Sequence, residues 1–553
     1  MKRLTLFYIV FVCFATLLVA QPKQELRAVW LTTLEGLDWP STKGTSHAVE
    51  EKQKKELCRI FDQLKHANVN TILFQARIRG TVTYPSHIEP WDGCISGQFN
   101  TAPHYDPLQF AIDEAHKRGM ELHAWVVTVP AGKWNTSYGA KQLRKKFPTL
   151  MRRAGEDAVM NPEDPRTADY IASICEEIAR RYDVDGIHLD YIRYHESWKH
   201  SGSRQQAREN ITNIVRAIHQ KVKGLKPWVK LSCSPLGKFD DLTRYPSGGW
   251  NAYNKVCQDA QGWLRDGLMD QLYPMMYYDG RHYYPFAADW SENRYGREIA
   301  AGLGIYRLIR SEGNWSLDAI KRQMYVARQL GLGHCYFRSR FLTDNTKGLY
   351  DFVCEFDNYP AVVPPMLTHQ PAPTAPFLQV ERTTQGDNLS WNGAQDNSDG
   401  DYLTYNVYAS TTLPVDINDG RNLIATRQMQ QQLSVRRNVN DTPLYYAVTA
   451  VNRYGLESTP SGNTHLPSLS ARHPKNDTEH LLPNDGYSLQ LPDASQLPPQ
   501  TSLFYIYSMQ GNLVTKRPFG KVVSVVGIPQ GVYELRSYNT DGTTHHIGYF
   551  LIK

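Results

Sequence analysis

The stretch "VDGIHLDYIRY", residues 184–194, decides how this chain is read. Ile187 and Leu189 alternate with Gly186, His188 and Asp190, which is the period of a strand whose successive side chains point to opposite faces. The alternation then breaks into Tyr191, Arg193 and Tyr194, so a polar face carrying His188 and Asp190 runs into an aromatic, basic turn. Working outward, similar short apolar runs occur at 26–33, 69–77, 120–129, 229–236, 269–279, 299–307 and 331–342. The segments between them carry apolar residues three and four apart, as in "EEKQKKELCRIFDQLKHA", "TADYIASICEEIARRY" and "SLDAIKRQMYVARQLG". "DPLQFAIDEAHKRG" opens on aspartate and proline and stops at glycine, the signature of a capped helix. Eight strands interleaved with helices over residues 24–365 predict an α/β fold, a (β/α)8 TIM barrel, with an open doubly wound sheet as the alternative that strand count alone leaves standing.

The chain's 553 residues are too many for one ordinary core, so further domains are expected. Residues 1–20 place Lys2 and Arg3 before an apolar run, the pattern of a signal peptide; an uncleaved membrane anchor is the alternative. No other stretch has the ~18 apolar residues that span a bilayer. Seven cysteines follow the leader, none in a CxxC pair, and they read as buried small hydrophobes rather than a disulfide framework. A net charge of +6 without a basic run gives no footprint for nucleic acid.

A proline-rich linker occupies 366–375. Beyond it, short alternating strands with glycine, asparagine and aspartate turns predict a small β-sandwich over 376–465. A last all-β domain spans 480–553, with one hairpin around Gly511–Asn512 and a second in "GVYELRSYNTDGTTHHIGYFLIK".

In a barrel, catalytic groups sit where strands end and the following loops begin. Asp190 meets that condition; an aspartate there also serves to cap a helix or to pair with Arg193. The same rule selects Gln75 and Arg77 on the second strand, His123 and Trp125 on the third, and His188 beside Asp190 on the fourth. It selects Tyr277, Tyr278 and Asp279 after the sixth strand, Tyr336 and Arg338 on the eighth, and Glu35, Asp38 and Trp39 beyond the first. Single tyrosines and tryptophans more often pack a core. Their repeated placement at strand ends beside carboxylates and amides suits a sugar polymer, with rings stacking on pyranose faces and polar groups reading hydroxyls.

Glycoside cleavage usually takes two carboxylates, about 5 Å apart in retaining enzymes and roughly 6.5–9.5 Å apart in inverting ones. Asp190 is the first candidate. Asp279 is expected as the second because it ends a barrel strand, with Glu35, Asp38 and Glu196 as competitors. No HExxH, EF-hand, phosphate-loop or dinucleotide motif is present, so no metal and no cofactor is expected.

Four segments, "LRAVWLTTLEGLDWP", "NVNTILFQARIRG", "DPLQFAIDEAHKRGMELHAWV" and "VDGIHLDYIRY", together resemble the family-10-like glycosyl hydrolase domain of exported bacterial proteins. That family includes a divisome-localised glycosidase of peptide-stripped peptidoglycan. The resemblance covers roughly 25–360 and implies a (β/α)8 barrel that hydrolyses glycosidic bonds, with peptidoglycan glycan strands as the substrate. It carries over Asp190 first, then Arg193 and Gln75 to Arg77, with Asp279 in "LYPMMYYD" at the sixth-strand place. The strand-four and strand-seven glutamates of true xylanases are not found. "LSWNG…YNVYAS…YYAVTAVNRYGLES" resembles a fibronectin type III module, and the tail resembles small C-terminal β domains of exported Bacteroidetes-type proteins, some of which are sorting signals. The implied partner is a glycan polymer at the cell envelope, and the implied location is the periplasm or cell surface of a Gram-negative, Bacteroidetes-like bacterium. Two other readings stay open: a degenerate barrel that binds glycan without cutting it, and a hydrolase of dietary or host polysaccharide.

Overall fold

The computed structural model describes residues 21–461 and 482–552, apart from 384, 438–441, 443, 486, 492–500, 509–512, 521 and 540–543. The expected leader at 1–20 and the turn expected at Gly511–Asn512 lie outside the described residues.

Eight parallel strands close into a barrel in chain order: β1 (Arg27–Leu31), β2 (Thr71–Arg77), β3 (Glu121–Val127), β4 (Gly186–Asp190), β5 (Lys230–Cys233), β6 (Gln271–Leu272), β7 (Glu298–Leu303) and β8 (Gly333–Tyr336), which pairs back onto β1. Helices α1 (His47–His66), α2 (Pro107–Lys117), α3 (Pro165–Arg181), α4 (Arg204–Leu225), α5 (Ala260–Arg265), α6 (Tyr284–Glu292), α7 (Leu317–Gln329) and α8 (Leu349–Phe356) follow the strands in turn. The Asp-Pro signals act as read. Asp106 accepts from the backbone N–H of Leu108 and Gln109, and Asp164 from that of Arg166, each with proline starting the helix. Such caps contribute on the order of 1 kcal/mol apiece.

Because helices cover the barrel, its long strands are buried on both faces and split into two packed layers. Val29, Ile72, Val126, Ile187 and Leu189 face the helices, whereas Ala28, Trp30, Leu73, Trp125 and Tyr273 fill the interior. The interior also holds a neutral polar column. Trp30 Nε1–H donates to His188 Nε2 at 3.2 Å, and His188 Nδ1 meets Ser232 Oγ at 3.0 Å. Burial, and then the nearby His123, hold His188 well below the usual histidine range. The ring is therefore neutral, and since Nε2 accepts, Nδ1 carries the proton.

Beneath that column, at the amino-terminal end, buried charges are saturated in pairs. Glu121 meets Lys230 at 2.5 Å and His123 at 3.1 Å. Arg427 reaches both Glu121 (3.2 Å) and Asp185 (2.6 Å), and Asp185 also meets His116 at 2.8 Å. Arg427 belongs to a three-stranded antiparallel sheet of Leu423–Gln428, Thr404–Ser410 and Tyr445–Val451, which forms one compact unit with the barrel.

The second unit takes residues 378–391, 432–441 and 464–553. It holds the sheet of Phe377–Thr383, Gly386–Asn392 and Gln432–Arg436, and the tail strands. The stretch 376–465, read as one module, thus divides between the two units. In the tail, Thr501–Ser508 pairs antiparallel with Leu513–Pro518, and Gly531–Asn539 with Thr544–Ile552, which are the two expected hairpins. The seven cysteines after the leader are all unpaired thiols. Among the described residues no helix is long and apolar enough to cross a membrane.

One glycine sets the interior packing. A Cβ on Gly186 would stand 2.6 Å from Nδ1 of the fully buried His123 ring. Gly186→Ala is expected to cost roughly 1–3 kcal/mol by overpacking, read as a lower midpoint of denaturant unfolding, and His123→Ala in the same chain should recover part of it. An unshifted midpoint would contradict this account of the barrel interior.

Candidate active site

At the carboxyl end of the strands lies an open groove of about 440 Å³. Its walls come from Thr32 after β1, Gln75 on β2, Trp125 and Val127 on β3, Asp190 at the end of β4, Met275 and Tyr277 after β6, and Phe337 and Arg338 after β8.

Asp190 is half-buried and held by three neutral donors. Its Oδ1 accepts from Ser234 Oγ–H and from the Tyr191 backbone N–H, both at 2.8 Å, and its Oδ2 accepts from Trp125 Nε1–H at 3.2 Å. Oδ2, with a single partner, is the freer oxygen. Tyr191 sits at φ +56°, the left-handed turn that brings its own N–H back onto the aspartate. Trp125, Tyr277 and Phe337 give the groove apolar walls, and the Tyr277 and Phe337 rings pack together at 5.3 Å. The Tyr277 hydroxyl is buried with no partner among the described residues. Gln75 accepts three hydrogen bonds on Oε1, from Thr32 Oγ1–H and from the N–H groups of Thr33 and Leu34. With that oxygen saturated, its amide N–H₂ remains for a ligand.

The groove's second carboxylate is Asp157. It lies on a hairpin that the chain inserts between β3 and α3, where Pro130–Lys133 and Met151–Ala154 flank Asp157–Met160 in one antiparallel sheet. Lys133 stands directly opposite Asp157 in that sheet, with Nζ 2.9 Å from Oδ1. His195, from the loop after β4, approaches Oδ2 at 3.3 Å. The Ser197 backbone N–H donates to His195 Nδ1, so Nε2 carries the proton and donates to Asp157. Burial raises the Asp157 carboxyl, but Lys133 and His195 outweigh it and hold the group below the usual carboxylate range.

Several residues selected from the sequence do not reach the groove. Asp279 is exposed and is not part of the lining. The last bridges of β6 to its neighbours are made at Met275, to Leu236 and Gly302, and Asp279 falls beyond them in a loop, next to the short turn Gly280–His282. Glu35 is likewise exposed, at φ +56°, outside the lining. Arg77 is turned away by a bulge. β2 pairs Gln75 with Trp125 but Arg77 with Val126, which faces the helices. There Arg77 is fully buried against Glu89 in a two-pronged pair (2.6 and 2.8 Å) and donates to the Thr128 carbonyl. Trp39 is fully buried against Phe74 and donates to the Gln53 carbonyl, and Tyr336 is fully buried in the strand–helix layer. His123 and His188 face the interior but lie too deep to line the groove.

Asp38 acts from behind. Burial raises its carboxyl, and it pairs with Arg338, which it holds at the groove wall. Arg193 lines the groove with its guanidinium 3.6 Å over the Tyr191 ring and Nη2 3.2 Å from Glu196. Glu196 also accepts from the Tyr191 hydroxyl. Asp157, Lys133, His195 and Ser234 were missed in the sequence. The one signal for the first two is the length of the β3-to-α3 connection, far beyond the usual handful of residues.

The tightest metal-ligand-type grouping among the described residues is Glu25, His334 and Asp357, all buried. Arg27 and Arg328 already occupy it, at 2.7 and 2.6 Å from Glu25 and 3.2 and 2.5 Å from Asp357, so two guanidinium ions stand where a cation would bind.

The molecule is therefore a (β/α)8-barrel protein with two carboxylates and an aromatic wall at the face where that fold places its chemistry. It belongs to the Glycosyl hydrolase-like 10 family, whose profile matches residues 25–306, from β1 through β7. It is 28% identical over 488 residues to Glycosyl hydrolase YngK of Bacillus subtilis (strain 168), covering 80% of this chain and 94% of that one. To Glycosyl hydrolase DigH of Escherichia coli (strain K12) it is 32% identical over 295 residues, covering 47% and 66%. Similar solved structures include the PgaB (BpsB) glycoside hydrolase domain from Bordetella bronchiseptica, at 14% identity and TM-score 0.41 over 60% of this chain and 98% of that one. Another is the endo-1,4-beta-D-mannanase from Thermotoga petrophila RKU-1, at 13% identity and TM-score 0.40 over 57% and 88%.

Removing the Lys133 ammonium takes away one of the two groups that hold Asp157 low. Lys133→Ala is expected to move the Asp157 titration to higher pH, followed by NMR of the carboxyl carbon against the Asp157→Asn spectrum. An unchanged midpoint would mean that Lys133 does not set the charge of Asp157.

Proposed function

We propose that the protein is an exported glycoside hydrolase that cleaves a glycan polymer by carboxylate chemistry, with the glycan strands of peptidoglycan as substrate. The observation that carries this reading is Asp190, an oriented carboxylate opening into an aromatic-walled groove at the barrel mouth. Membership of a glycosyl hydrolase-like family supports the reaction type. The sequence resemblance to wall-active proteins supports the substrate, and the apolar leader pattern supports export to the periplasm or cell surface.

In this reading Asp190 presents negative charge to the anomeric carbon as it becomes cationic in the transition state. Asp157, held low by Lys133 and His195, is ionised near neutrality and serves as the base that takes the proton from the attacking water. Water oxygen bonds to the anomeric carbon as its proton passes to Asp157, the glycosidic C–O bond breaks, the leaving oxygen takes up a proton from solvent in the open groove, and Asp157 returns its proton to solvent. Trp125, Tyr277 and Phe337 stack on sugar rings, and the free amide N–H₂ of Gln75 reads a hydroxyl.

The test is sugar release from peptide-stripped peptidoglycan and from a panel of other polysaccharides, with product masses read out. Asp190→Asn and Asp157→Asn should each lower the rate by about 10²–10⁴-fold. Release by Asp190→Asn equal to the wild type would remove the catalytic assignment. Binding without any release would make the protein a glycan receptor instead.

A further inference from the structure

The segment inserted between β3 and α3 is strongly basic. Residues 130–155 carry Lys133, Lys141, Arg144, Lys145, Lys146, Arg152 and Arg153, and no acid. Seven of the chain's 61 Lys and Arg residues and none of its 55 acids thus fall in 26 residues, so the insert holds the whole +6 net charge and leaves the remainder at −1. The insert is a built surface. Its helix Tyr138–Lys146 buries Gly139, Ala140 and Leu143. A Cβ on Gly139 would stand 2.2 Å from the Arg79 carbonyl oxygen, so this helix and the turn after β2 meet backbone to backbone.

Four of the seven cations have partners. Lys133 pairs with Asp157 at 2.9 Å and Arg153 with Glu156 at 3.3 Å. Arg144 lies 4.4 Å over the Trp134 ring, and Lys146 donates to the Ile88 carbonyl. Lys141, Lys145 and Arg152 are exposed, and their side chains make no hydrogen bond or ion pair among the described residues. Asp164, the acid that feels Arg152, is taken by Arg166 at 2.6 Å. Cations in a last helical turn complement the helix dipole, which accounts for Lys145 but not for Lys141 or Arg152. Lys141 and Lys145 also stand one turn apart, where like charges repel.

None of the three free cations lines the groove, so their counter-charge is not the groove's occupant. Two are lysines, compact charges on flexible stems, which suit anions that rearrange beneath them; one fixed acid group is matched better by the planar arginine fork. Beside them stands an exposed ring. Phe99 is 48% exposed and stacks at 4.9 Å on Tyr138, the first residue of the insert's helix. Scattered cations next to an exposed ring fit the interfacial layer of a bilayer, where lysines gather anionic headgroups and aromatic rings settle at their level.

We propose that the insert is a peripheral docking surface for an anionic phospholipid bilayer, held chiefly by Lys141, Lys145 and Arg152. The inference concerns where the protein stands rather than what it cuts, and it is independent of the hydrolase reading.

The experiment is sedimentation of the full chain with vesicles of phosphatidylcholine alone and of phosphatidylcholine mixed with phosphatidylglycerol. The wild type should bind the mixed vesicles only, and should be released at roughly 1 M salt, where charges are screened within about 3 Å. Lys141→Gln/Lys145→Gln/Arg152→Gln should lower the partition constant by about 10²-fold, roughly fivefold for each cation. Lys52→Gln/Lys55→Gln/Arg59→Gln on α1 removes the same charge from other exposed positions and should change it by less than about threefold. Equal losses in the two triple variants would assign binding to net charge and overturn the docking surface. Salt-resistant binding, or equal binding to both kinds of vesicle, would overturn it on the wild type alone, with no variant needed. Retention of dextran sulfate without any vesicle binding would give the surface to a soluble polyanion and remove the bilayer.

Discussion

The site depends on the register shared by β3, β4 and β5. Trp125 lies opposite His188, Val127 opposite Asp190, and His188 opposite Ser232. With these pairings the Trp125 indole and the Ser234 hydroxyl converge on one carboxylate from its two neighbouring strands. A slip of one residue would exchange the faces of β4, sending Asp190 toward the helices and Leu189 into the groove. The barrel interior guards against that slip. Gly186 leaves the space that the His123 ring occupies, and His188 is bound on both nitrogens, by Trp30 and Ser232. A slipped strand would break those bonds and bury their donors unpaired.

The same regularity explains how much could be read beforehand. Strand periodicity located all eight barrel strands and brought Asp190, Trp125 and Gln75 to the inner face, because each sits on an unbroken ladder. It misplaced Arg77, since a single bulged residue reverses the face and nothing in "QAR" announces it. It carried Asp279 to the end of the sixth strand, whose last bridges to its neighbours, at Met275, stop short of it. Periodicity also tells face but not depth. His123 and His188 do point inward, yet the inner residues of a barrel stack in layers and only the uppermost layer meets the groove. Asp157 was out of reach for a different reason. Its hairpin is held over the mouth by contacts with the β4 loop, and such contacts leave no local pattern.

Charge is treated differently at the two ends of the barrel. At the amino-terminal end Glu121, Lys230, Asp185, Arg427 and His116 neutralise one another, and Glu25, Arg27, Arg328, Asp357 and His334 form a second closed set. Removing one member of such a set would leave its partner buried and uncompensated, which is why these groups fix the structure rather than serve a ligand. At the carboxyl end Asp190 is oriented by neutral donors alone, Arg193 is paired with Glu196, and the exposed Arg79 has no side-chain partner among the described residues.

The hairpin makes this arrangement a single device. Lys133 and Asp157 are a cross-strand pair, so the ion pair that lowers the Asp157 carboxyl also pins the hairpin's own register. His195 then ties the hairpin to the loop that begins at Asp190 itself. One carboxylate stands on a rigid strand end, the other on an inserted hairpin that His195 joins to the loop after β4. The place of Asp157 thus follows the hairpin rather than the barrel, so changes in the β3-to-α3 connection can move it without disturbing the eight strands.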